Sequence, residues 1–120
     1  TFGNPSGQWL NNIREAVALL DADESVAFEY EGEMAPDAAL NPKVMSLYPF
    51  SRLSGPANVL IMPGLQSANL SAKLLRELGG ETTVGPILVG MEKPVQIVPV
   101  TANVPDVLTL AVLASAGVLG

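Results

Sequence analysis

The run "NVLIM" at residues 58–62 is apolar and is bounded by proline and glycine on both sides, as "SGPANVLIMPG". A short apolar run closed off by turn residues reads as a buried strand of a parallel sheet. From Ser67 onward, Leu70, Leu74, Leu75 and Leu78 recur at helical spacing and stop at Gly79 and Gly80. That pattern predicts an amphipathic helix ended by a glycine in the left-handed conformation. The next apolar run, "PILVG", follows directly, so strand, helix and strand make a βαβ crossover. Parallel strands require such a crossover, which is the unit of α/β folds.

The rest of the chain is read around that unit. In "SGQWLNNIREAVALLDAD", Trp9, Leu10, Ile13, Val17 and Leu20 keep a helical period behind Ser6 as N-cap, which predicts a helix over 7–20. "SVAFEYEGEM" alternates Val26, Phe28 and Tyr30 with Ala27 and Glu29, so a strand is expected over 25–30 with a turn at Gly32. Pro36, Pro42 and Pro49 stand too close together for a long helix and leave room for one or two short turns. A further strand is expected over 95–98, then a last helix from about Val104, capped by Asn103 with Pro105 in its first turn. The alternation predicts an α/β fold, a three-layer doubly wound sheet, mainly parallel. Ligands of such sheets sit outside the carboxyl ends of the strands, here 63–64, 90–93 and 99–103.

Charge and residue usage exclude several function classes. Twelve acids against six bases give a net charge of -6, which repels a phosphate backbone, so nucleic acid is not expected as a partner. The chain has no cysteine and no histidine, so it lacks thiolate chemistry, the commonest metal ligand and the usual general base, and no metal site is expected. Its longest uncharged apolar run, residues 107–120, is too short to span a membrane, and a cytoplasmic protein is expected. Hydrophobic residues make up 48% of the chain and charged residues 15%, which predicts apolar surface meant for a partner. The final helix, "VLTLAVLASAGVLG", is apolar nearly all round and must be covered on several sides, so a homodimer or higher homo-oligomer is expected. The opening "TFGNPSG", without methionine, and the end inside "SAGVLG" are read as a piece of a larger chain, leaving its N-terminal remainder as a partner.

Three stretches in this order, "EYEGEMAPDAAL", "GPANVLIMPGLQSANLSAKLLRELGG" and "VGPILVGMEKPVQIV", resemble the C-terminal part of the phosphotransacetylase family. The resemblance runs from about Glu29 to the end. "YPFSRLSGPANVL" and "VGMEKPVQIV" look closest to the form fused behind the catalytic region of bacterial NADP-dependent malic enzymes. It implies that residues 1–120 are the second-half portion of a phosphotransacetylase-like (isocitrate/isopropylmalate dehydrogenase-like) fold. It also implies a family chemistry, transfer of an acetyl group between coenzyme A and phosphate.

In active members the "KPV" segment runs into a serine-arginine-glycine loop that holds the phosphate, with an aspartate at the start of the next helix. Counted from Lys93, Pro94 and Val95, those loop positions fall on Pro99, Val100 and Thr101, and the aspartate on Asp106. The serine and arginine are absent. Gripping phosphate at an acyl-transfer centre needs charge-assisted donors, and losing one costs on the order of 3 kcal/mol or more of transition-state stabilisation. The resemblance therefore implies a non-catalytic domain that senses acetyl-CoA and holds subunits together. The parent would be a malic enzyme that oxidatively decarboxylates malate to pyruvate, with NADP and a divalent metal bound outside these residues. The other reading is an active phosphate acetyl/butyryl transferase.

The acyl-CoA ligand residues implied are Gly64, Asn69, Gly90, Lys93 and Asp106. Each also has a plainer account. Asp106 is an acid in the first turn of a helix, where the dipole favours it by roughly 0.3 to 1 kcal/mol. Lys93 and Arg52 either meet a nucleotide phosphate or are merely solvated. Gly64, Gly85 and Gly90 either admit a ligand close to backbone N–H groups or are turn glycines. Glu31 and Glu33 are read as solvated acids at strand spacing.

Overall fold

The computed structural model of the chain describes residues 7–79 and 83–116. Five helices are formed among them: α1 (Gln8–Ala22), α2 (Pro36–Leu40), α3 (Pro42–Met45), α4 (Leu65–Leu78) and α5 (Val104–Ala116). The chain divides into two units, Thr1–Asn69 and Leu70–Gly120. The division falls within α4.

In the first unit, α1 follows Gly7, whose extended backbone starts the helix without a side-chain cap. The expected cap, Ser6, lies outside the described residues. Pro36 and Pro42 open α2 and α3, positions at which the missing N–H costs nothing. Asn41 links the two short helices, its side chain accepting from the Lys43 N–H at 3.0 Å. Leu10, 1% exposed, Ala38 and Ala39 are the buried apolar side chains among the described residues of this unit, and the Ala57 N–H ties to the Ala39 carbonyl at 2.8 Å. Gly32 lies against α1: a Cβ there would stand 3.1 Å from Ile13 Cγ2 and 3.4 Å from Val17 Cγ2.

In the second unit, Leu110 of α5 is buried at 4% exposure. Arg76, in the last turn of α4, donates from its guanidinium to the Gly85 carbonyl and so holds the chain that returns from the helix. Gly79 ends α4 by donating to the Leu75 carbonyl at 2.8 Å. The left-handed cap expected at Gly79 is not formed, because the positive-φ glycines among the described residues are Gly85 and Gly90. Gly80 lies outside the described residues.

The expected three-layer sheet is likewise not formed: the described residues contain no strand. A strand exists through its neighbour, and these backbones pair with side chains instead. Glu29 accepts from the Ser54 N–H and Glu31 from the Arg52 N–H, at 2.8 and 2.9 Å. Between the apolar runs 86–89 and 95–98, the Gln96 amide accepts from the Leu88 N–H at 3.0 Å and donates to the Leu88 carbonyl at 3.2 Å. The run 58–62 carries Ile61 at 89% exposure. Apolar side chains fitted to a sheet interior thus remain in solvent, as do Leu70, Leu74, Leu75 and Leu78 on α4.

Two substitutions test this account by denaturant unfolding. Leu10→Ala is expected to cost about 2–5 kcal/mol through the lost burial and the cavity left behind. Gly79→Ala drives a Cβ against the Leu75 carbonyl oxygen and is expected to cost more than about 1 kcal/mol.

Candidate ligand-binding site

Gly64 and Asn69 belong to the first unit, and Gly90, Lys93 and Asp106 to the second. Gly64 precedes α4, and its carbonyl accepts from Ser67 Oγ at 2.7 Å and from the Ala68 N–H at 3.0 Å. Asn69 is exposed on α4. Gly90 has φ of 79°, and nothing lies within 4 Å of where a Cβ would sit, so it serves a turn and also leaves open space beside the backbone. Lys93 is exposed a few residues further on and makes no ion pair among the described residues.

Asp106 is committed to its helix. Its Oδ2 accepts from the Asn103 N–H at 3.0 Å, while Asn103 Oδ1 accepts from the Asp106 N–H at 2.9 Å. This reciprocal pair is a capping box, which explains why an acid stands three residues after the Asn. Between Lys93 and this cap, Pro99 has no N–H, and its carbonyl accepts from the Ala102 N–H at 3.0 Å. Val100 is fully exposed at the turn. The segment 99–101 therefore offers an anion no cationic side chain.

The polar cluster that the structure does assemble lies elsewhere, in the first unit. An open groove of about 390 Å³ is lined by Arg14, Asp21, Glu31, Glu33, Phe50 and Arg52. Arg52 donates to Asp21 at 2.6 Å, stands 3.8 Å from Glu31 Oε1 and lies over the Tyr30 ring at 4.8 Å. Arg14 pairs with Glu33 at 2.6 Å. Arg52, a candidate phosphate contact, is thus already matched by carboxylates. The expectation that Glu31 and Glu33 are solvated acids is also corrected, since their side chains are only 9% and 11% exposed. Their arginine partners lie 21 and 19 residues away, beyond the reach of any local pattern. The alternation of Glu29, Glu31 and Glu33 was the available signal.

Hydrogen bonding, first from Tyr30 and then from Arg52, holds the Asp21 carboxyl below its ordinary value of 3.8. Ser54, through its N–H and its hydroxyl, lowers Glu29 from 4.5. The same Asp21 bond raises Tyr30 above 10.0. A lowered carboxylate stabilises the fold above its unfolded value and loses that contribution as pH falls through the folded value. A raised tyrosine contributes below its unfolded value and loses that contribution on alkalisation. Stability is therefore expected to fall below about pH 4 and again above about pH 10, and Asp21→Asn to flatten both limbs in denaturant titrations across pH.

Residues 1–115 match the family model described as phosphate acetyl/butaryl transferase. The chain is 55% identical over 115 residues to an NADP-dependent malic enzyme of Rhizobium meliloti (strain 1021), covering 96% of this chain and 15% of that protein, in its C-terminal part. It is 47% identical to a probable NADP-dependent malic enzyme of Rickettsia prowazekii (strain Madrid E), covering 95% of this chain and 16% of that one. Identity to a phosphate acetyltransferase of Paracoccus denitrificans is 37%, over 90% of this chain and 34% of the other. The chain thus spans about a sixth of the two malic enzymes and a third of the acetyltransferase. A match along nearly the whole chain places it by descent, and the chain belongs to the phosphate acetyl/butaryl transferase family.

Proposed function

We propose that this chain is a non-catalytic regulatory and oligomerisation domain of an NADP-dependent malic enzyme, and that it binds acetyl-CoA as a signal without turning it over. The observation that carries this is the segment 99–101. Its proline, exposed valine and threonine stand where the family resemblance puts the phosphate-gripping serine and arginine, and no cation replaces them. Uncharged contacts of that kind do not neutralise a phosphate at an acyl-transfer centre. The higher identity to the two malic enzymes than to the acetyltransferase supports the choice of parent. In this reading Gly90 leaves room for the ligand beside the backbone and Lys93 meets a phosphate of the nucleotide as a point charge, while Gly64 and Asn69, in the first unit, are the further ligand residues that the resemblance implies. Asp106 shapes the helix start.

The parent's malate chemistry, its NADP and its divalent metal belong to the remainder of the longer chain. The donor set here does not fit a metal, because no three His, Cys, Asp or Glu side chains stand together as ligands among the described residues. No helix among them is long and apolar enough to cross a membrane, and the parent is proposed to be cytoplasmic. The apolar runs 58–62, 86–89 and 95–98 become strands of a mainly parallel sheet when the remainder of the chain supplies neighbours. A second copy covers what apolar helix surface is left. The rival reading is an active phosphate acetyltransferase, favoured by the 37% identity to one.

Acetyl-CoA titrated into the longer protein is expected to change malate-dependent NADPH formation, and Lys93→Gln to weaken that response severalfold while leaving the unfolding midpoint unchanged. A rate indifferent to acetyl-CoA would overturn the sensing role.

A further inference from the structure

We draw no further inference here: the strongest candidate, the groove between α1 and residues 29–33 and 50–52, is an acidic cluster whose carboxylates are already matched by Arg14 and Arg52, and Glu33 Oε2, a buried oxygen without a hydrogen-bond partner among the described residues, is sealed from solvent, so nothing in the structure points to a ligand.

Discussion

Backbone N–H and C=O groups must find partners, and in this chain several find them in carboxylates and amides. Glu29 and Glu31 take the N–H groups of Ser54 and Arg52, one residue pair stepping forward as the other steps back, in the register of an antiparallel ladder. The pairing fastens the acidic stretch to the loop 52–54. Gly32 lets that stretch press on the Ile13 and Val17 side of α1, and Arg52 reaches back from the loop to Asp21 near the end of the same helix. Among the described residues, the buried apolar side chains of the first unit are Leu10, Ala38 and Ala39.

On the proposed reading, the second unit keeps the shape of a ligand-binding edge without the family chemistry. The Asn103 and Asp106 cap, the open turn at Gly90 and the Gln96 bond to Leu88 preserve a frame. Residues 99–101 have no cationic side chain. Scaffold and reaction are separable because different residues carry them: caps and turns depend on backbone bonding, whereas acyl transfer to phosphate depends on charge placed at one point. Asp106 illustrates the separation, as its carboxylate is occupied in starting the helix.

Helices were legible in the sequence. α1, α4 and α5 fall within a few residues of their expected positions, and Pro36 and Pro42 mark the short α2 and α3. Their signals are local, since a helix makes its own hydrogen bonds. The strands were not legible in the same way: "NVLIM" and "PILVG" have the apolar character of buried strands, but a strand needs a neighbour, and none of the described residues provides one. Arg52 and Glu31 were misjudged for a related reason, as their partners come from elsewhere in the chain. Gly90 and Lys93 are exposed, but the strand whose carboxyl end they were expected to mark is absent among the described residues.

The central claim is that the family scaffold persists here without the family reaction. It is tested most directly by assaying acetyl transfer in the longer protein, following thiol release from acetyl-CoA in the presence of inorganic phosphate. The account predicts no phosphate-dependent release above the uncatalysed background. Release at ordinary enzymatic rates, lost on substitution of Lys93 or Asp106, would contradict it and show that the charge missing at Val100 is supplied from another part of the protein.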